Sequence, residues 1–208
     1  MHIIDIETIA LPDDQLAALK PTFEPPANYK DPAKIAENLA AQEAKWKEQA
    51  ALSAITGRVA IIGLLDNLGG FTASIANEPE QEINILRSFW ADYAPHHVLG
   101  WNIKGFDIPF LVQRSWIHGI RVPDNVFNGR FISADWATDL LERWTCFQSR
   151  LQTGSSLDAV SRACGLGGKA STGAEFGKLW ATNREQALDY CQTDCNLTWL
   201  LAKRLGAM

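Results

Sequence analysis

The chain has 208 residues, 47% of them hydrophobic and 21% charged, which is enough to bury one sizeable core and too little for two, so a single domain over residues 1–208 is expected. Its 19 basic and 24 acidic side chains give a formal charge of −5, which weighs against a protein that grips polyanions by bulk positive charge. The sequence carries no membrane-length apolar run, no secretory leader and no disulfide-framework spacing among Cys146, Cys164, Cys191 and Cys195, so a cytoplasmic protein without a membrane partner is expected.

The first predicted element is a strand, because Met1-His2-Ile3-Ile4-Asp5-Ile6-Glu7-Thr8 is apolar and β-branched. Alternation places Asp5 and Glu7 on one face. Residues 20–52 then read as a helical insert. Pro21, Pro25 and Pro26 make a loop, Asp31 caps and Pro32 opens a long Ala-rich helix bearing Ile35, Leu39 and Trp46, with Glu43 and Lys47 at i,i+4. One apolar stripe predicts one packed face, laid across the sheet or its edge; the alternative is a flap over a substrate channel or a partner-docking arm. Residues 58–65 and 70–75 read as strands joined by the hairpin turn Asp66-Asn67-Leu68-Gly69. Asn77 is the predicted cap of the next helix, with Pro79 in its first turn and Ile83, Leu86, Trp90 and Tyr93 at helical spacing. His96 and His97 precede a strand and read as solvent or boundary residues.

The segment from Leu99 to Leu111 predicts a short strand, a turn hinged on Gly105 and a helix start with Pro109 in its first turn, which puts Asp107 where a helix begins. Strands at 98–101 and 131–134 complete a five-stranded mixed sheet flanked by helices, an α/β fold. Ser155 and Asp158 read as a capping box for a helix ending near Cys164, and the following glycines as its stop. The run Gly165-Leu166-Gly167-Gly168-Lys169 looks like a phosphate loop, but a Walker loop needs Gly at 163 and Ser or Thr at 170, where this chain has Ala163 and Ala170. Triphosphate binding is therefore rejected. Lys169 or the loop amides are expected to touch a substrate phosphate, the alternative being a simple surface loop. Residues 186–194 predict a helix on which Tyr190 and Asp194, at i and i+4, share a face. Cys191 and Cys195 also share a face; with no second pair at ligand spacing they read as packing residues and not as half a zinc site.

Asp5, Glu7, Asp107 and Asp194 are the candidate site. Like charges gathered in a fold raise one another's pKa and need cations or shared protons to offset them. Hard oxygen donors favour Mg²⁺ or Mn²⁺ over zinc, and two such ions can activate a water and stabilise the departing oxygen of a phosphodiester. Asp-x-Glu after an apolar strand or Tyr-x-x-x-Asp on a helix is common by itself. The order of the motifs and their placement on strand, helix start and helix give the joint pattern its weight.

That pattern resembles the DEDD group of 3′-to-5′ exonucleases in its tyrosine-bearing form, which has an RNase H-like fold. Asp5-Ile6-Glu7 matches the first motif, Asn102-Ile103-Lys104-Gly105-Phe106-Asp107 the second, and Tyr190-Cys191-Gln192-Thr193-Asp194 the third. Gly100-Trp101-Asn102, the segment Ser156-Leu157-Asp158-Ala159-Val160 and the glycine run ending at Lys169 are similar to stand-alone exonucleases related to the proofreading domain of family B DNA polymerases. The sister form carries a histidine five residues before the last Asp; Asp189 stands there in this chain, so Tyr190 is the expected water-orienting group. The resemblance implies two Mg²⁺ or Mn²⁺ ions, with Asp5 bridging both, Glu7 and Asp194 completing the site of the water-activating ion, and Asp107 holding the second directly or through water. Asn102 and Phe106 would contact the terminal nucleotide. It further implies a single-stranded 3′ end as substrate, expected to be DNA; the sequence is silent on a replication or repair partner. Two alternatives are an RNase H-like endonuclease or RNA-trimming exoribonuclease, and a catalytically silent nucleic-acid-binding module; the second predicts erosion of the acids, all of which are intact. Setting the four ligands aside leaves 20 acidic against 19 basic residues, so the acidity is partly that of the site itself.

Overall fold

The computed structural model describes residues 1–151, 153–169, 173 and 176–208; Ala170, invoked above against a nucleotide loop, lies outside them. The sheet is built around β1 (His2–Ala10), whose isoleucines Ile3, Ile4 and Ile6 are all buried. On one side β1 pairs antiparallel with β2 (Gly57–Asp66), which pairs antiparallel with the edge strand β3 (Phe71–Ile75). On the other side it runs parallel to β4 (Val98–Gly100). The fifth strand, β7 (Ala137–Asp139), lies beyond β4 and gives the order β3-β2-β1-β4-β7, a five-stranded mixed sheet in an α/β architecture consistent with an RNase H-like fold. β2 is apolar without alternation because both of its faces are covered.

Helices α3 (Glu82–Tyr93) and α4 (Asp107–Ile117) cover one face, where Ile4, Ile6, Val59 and Ile62 meet Leu86, Phe89, Ile108 and Leu111. The opposite face carries α5 (Leu140–Trp144), α7 (Phe176–Thr182) and the long α8 (Arg184–Arg204). There Ile3 and Leu65 pack on Leu140 and Cys195, and Ile61 packs on Trp180 and Cys191. Asp5 and Glu7 alternate with Ile4 and Ile6, so they share the face of Ile3 and look toward α8. The hairpin between β2 and β3 turns at Asp66, whose Oδ1 accepts the Leu68 and Gly70 N–H groups.

Four sequence expectations are corrected. The fifth strand is β7 (Ala137–Asp139), not residues 131–134. Phe131–Ile132 (β6) instead pairs with Phe127–Asn128 (β5) across a turn at Gly129, whose φ of 60° suits glycine, and Phe131 stays 64% exposed. The residue capping the turn before α3 is Glu78, not Asn77: Pro79–Gln81 forms a 3₁₀ turn, and Gln81 Oε1 accepts the N–H groups of both Asn77 and Glu78. The third concerns α6 (Leu157–Ala163), which is capped by Ser156 and not by Ser155, while Asp158 binds Arg162 and the Lys169 N–H. Finally, α2 (Pro32–Glu48) does start at the Asp31 cap but buries no residue. It stands off the sheet, held through Trp46 against Phe23 and a small cluster of Leu11, Leu16 and Ala50. Among the described residues no helix is long and apolar enough to cross a membrane.

Candidate active site

Asp5 and Glu7 leave β1 where its register against β2 slips: Glu7 faces Ile61 but Thr8 faces Val59, so Ala60 is an extra residue. Such a bulge kinks the strand and re-aims its side chains. The freed Val59 N–H donates to Glu82 Oε1 at 2.7 Å, and Glu82, with no exposed surface, is also held by Arg114 and His118. The carboxylate oxygens of Asp5 and Glu7 and the Cys191 Sγ all lie within 4.8 Å of one another. β4 pairs with β1 only at His2 and Ile3, so the Ile6 N–H lacks a strand partner. Asp107 Oδ1 takes it at 3.0 Å, which draws the start of α4 against β1.

The turn before α4 carries Asn102 at φ 60°, a left-handed conformation that Asn tolerates better than most residues. A Cβ on Gly105 would overlap the Asn102 side-chain oxygen, so glycine here lets Asn102 keep this side-chain position. Asp139, at the end of β7, fixes this turn by accepting from the N–H groups of Asn102 (3.0 Å), Lys104 (2.9 Å) and Leu141 (2.9 Å). Phe106 lies against Phe110, with ring centroids 5.6 Å apart.

From the other side, α8 brings Tyr190 and Asp194. It approaches the sheet closely because β2 has Gly63 beneath it; a Cβ there would overlap Cys191 Sγ. Lys169 reaches in from the glycine run, pairing with Asp194 and donating to Tyr190 Oη at 3.2 Å. The second oxygen of Asp194, Oδ1, is buried without a hydrogen-bond partner among the described residues.

Burial is the first cause of the upward displacement of the carboxylates and of Tyr190. It pushes Asp5 well above the usual carboxylate range, with the charges of Asp194 and Asp107 adding to it, and does the same to Glu7, with Asp5 adding. Asp107 is raised to about 7, burial outweighing the hydrogen bond from Ile6. Asp194 is raised despite Lys169. The Lys169 ammonium loses from burial but gains more from Asp194 and Tyr190, so it is held charged beyond its ordinary range. Burial and Asp194 push the Tyr190 phenol up to about 12. Among the described residues, one cation faces four acids that burial makes costly to ionise, and a carboxylate oxygen is orphaned. This oxygen-rich set fits added divalent cations. Asp5, Asp107 and Asp194 open on a cavity of about 500 Å³ lined also by Asn102, Phe106 and Lys169, among others, while Glu7 lines an adjoining cleft.

The family model of predicted 3′-5′ exonucleases related to the exonuclease domain of PolB matches residues 52–208. The chain belongs to this family. No curated protein matches it. Among solved structures, the family B DNA polymerase from the hyperthermophilic archaeon Pyrobaculum calidifontis superposes with a TM-score of 0.64 at 17% identity. The match covers 98% of this chain and 24% of the polymerase, so the chain spans about a quarter of that protein's length. Exonucleases of this kind generally use divalent metals and act on nucleic acid.

The exonuclease fold thus gathers Asp5, Asn102, Phe106, Asp107, Lys169 and Asp194 around one cavity, puts Glu7 beside Asp5, and joins Tyr190 through Lys169. Lys169 is not a free loop residue, since its Nζ already binds Asp194 and Tyr190. Sequence reasoning took Cys191 for packing alone, and it is fully buried, yet its Sγ lies 3.9 Å from Asp5 Oδ2. It also missed Asp139 and Glu82, which hold the turn and the bulge; no local pattern marks a carboxylate whose partners are backbone N–H groups elsewhere in the chain.

Proposed function

We propose that this exonuclease removes nucleoside 5′-monophosphates one at a time from single-stranded 3′ ends of DNA, with Mg²⁺ or Mn²⁺ held by Asp5, Glu7, Asp107 and Asp194. The observation that carries this reading is the convergence of Asp5, Asp107 and Asp194, from β1, α4 and α8, on one cavity, with Glu7 beside Asp5 and, among the described residues, no partner for the buried Asp194 Oδ1. In the reaction a water oxygen bonds to the terminal phosphorus and the bond to the 3′ oxygen of the preceding nucleotide breaks. The products are a nucleoside 5′-monophosphate and a strand one nucleotide shorter. The divalent ions, when bound, ease ionisation of the attacking water and offset charge on the departing oxygen.

The protein's own groups supply position. Tyr190 remains a neutral phenol, because its pKa is pushed up to about 12, and it can donate a hydrogen bond to the water. Lys169 keeps its charge and stands where it can meet a non-bridging phosphate oxygen. Asn102 and Phe106 line the cavity as contacts for the terminal nucleotide, a polar group and a stacking face. Single strands labelled internally and blocked at either end test polarity: protection by a 3′ block and not by a 5′ block is expected, and degradation from a blocked 3′ end overturns the reading. Deoxy and ribo versions of one oligonucleotide test the sugar; preference for the ribo strand would replace DNA by RNA as substrate.

A further inference from the structure

A second, larger cleft of about 970 Å³ adjoins the catalytic cavity, bounded by Ile6, Glu7 and Thr8 on one side and by α2 on the other. The two spaces share Ile6 and Phe106, and Glu7 stands at their junction. α2 is clamped by one face only. Leu39, Gln42, Glu43 and Trp46 recur at i, i+3, i+4 and i+7; Gln42 Nε2 donates to the Glu24 carbonyl at 3.0 Å, Glu43 pairs with Lys20, and Trp46 packs on Phe23. The opposite face, with Ala41, Ala44, Lys45 and Glu48 at the same spacing, lines the cleft. The two alanines leave a flat wall, and among the described residues Lys45 pairs with no carboxylate, while the neighbouring Lys47 is engaged by Glu43 at 3.3 Å. A helix of 17 residues that buries none of them adds little to the core, so its fixed orientation calls for another reason. It also lies outside residues 52–208, the part shared with the family.

We propose that this face of α2 is the outer wall of the path taken by the single strand upstream of its terminal nucleotide, with backbone phosphate on Lys45 and bases over the alanine surface. The proposal rests on the exonuclease reading above. The catalytic cavity accepts the terminal nucleotide, and the adjoining cleft, nearly twice its volume and sharing Ile6 and Phe106 with it, accepts those that precede it. Glu48 at the helix end disfavours phosphate there, which directs the strand toward Lys45.

The test compares a dinucleotide, too short to fill the cleft, with a single strand of about twelve nucleotides, using the whole protein with Mg²⁺ or Mn²⁺. For Lys45→Glu and Ala44→Trp, both at solvent-facing positions, the ratio of kcat/KM for the long over the short substrate should fall about tenfold, chiefly through KM. Circular dichroism and thermal melting verify that each variant folds. A ratio within roughly twofold of the wild type for both folded variants overturns the path and leaves the exonuclease reading standing. A wild type that prefers the long strand no more than the dinucleotide does the same. A wild type that cleaves neither overturns the exonuclease reading and the path together.

Discussion

Tyr190 illustrates how a buried site assigns roles to single groups. Its hydroxyl accepts from Lys169 at 3.2 Å and its pKa is pushed up to about 12, so it can orient a water but cannot serve as its base near neutral pH. Tyr190→Phe should therefore lower kcat about 10- to 100-fold while metal binding and folding persist. Asp194→Ala, which removes a proposed ligand, should leave no measurable turnover; a Tyr190→Phe enzyme with wild-type kcat would remove the phenol from the chemistry. The carboxylates carry a second consequence. In the unfolded chain they titrate near about pH 4, whereas burial raises Asp107 to about 7 and raises Asp5, Glu7 and Asp194. Between those limits the metal-free fold binds more protons than the unfolded chain, so its stability falls as pH rises through that window. With a chelator present, Tm should be lower at about pH 7.5 than at about pH 5, and Mg²⁺ should recover most of the difference. A melting temperature indifferent to both pH and metal would contradict the clustering of charge.

At the scale of elements, the site depends on contacts that lie some distance from the chemistry. Glu82 joins α3 to the β2 bulge through Val59 N–H and to α4 through Arg114, all of it buried. Burial alone would raise its pKa, but Arg114, the Val59 N–H and His118 bring it below the ordinary value, so it stays ionised. Glu82→Gln leaves the Arg114 guanidinium buried without its charge partner and should cost about 3–5 kcal/mol in urea denaturation. A loss under about 1 kcal/mol would show the network to be dispensable. Gly63→Ala should force α8 away from β2, costing about 1–3 kcal/mol and lowering kcat because Tyr190 and Asp194 move with the helix. Adding Cys191→Ala frees the space and should restore part of both; no rescue would place the strain elsewhere. These elements also mark what the sequence could reveal. β1, the start of α4 and α8 were readable because alternation, Pro109 and i,i+4 spacing act within a few residues. β7 was not: Ala137-Thr138-Asp139 is too short to establish a period in the sequence, while the aromatic Phe131 pointed to a strand that pairs locally instead. The caps slipped by one residue at Asn77 and Ser155 because adjacent polar side chains compete for the same N–H groups, and only the path of the chain decides between them.

Across the whole molecule, the acids legible at positions 5, 7, 107 and 194 were brought near one another by a sheet order that sequence fixes only in part, and residues acting through the backbone, such as Asp139, stayed hidden. The helical insert shows the same limit. Its cap and its Glu43–Lys47 pair were predictable, but its stance off the sheet depends on the Lys20–Glu43 and Phe23–Trp46 contacts, which join segments some twenty residues apart. We read the chain as one exonuclease domain in which this insert adds a wall to a shared core. Net charge then bears on affinity. With 20 acidic and 19 basic groups outside the proposed ligands, the protein has no surplus of positive charge to hold a strand; among the described residues the two adjoining spaces are lined by Lys169, Lys45 and Lys47, the last of them paired with Glu43. Two or three phosphate contacts on single-stranded DNA predict a slope of log K against log salt of about −1.4 to −2.1. Binding of a labelled strand to Asp194→Ala, which should not degrade it, is therefore expected to weaken roughly 5- to 20-fold between about 50 and 200 mM salt. A far steeper dependence would require an extended basic track that the composition does not supply, and a flat one would mean that stacking on aromatic faces such as Phe106 holds the strand with little help from its phosphates.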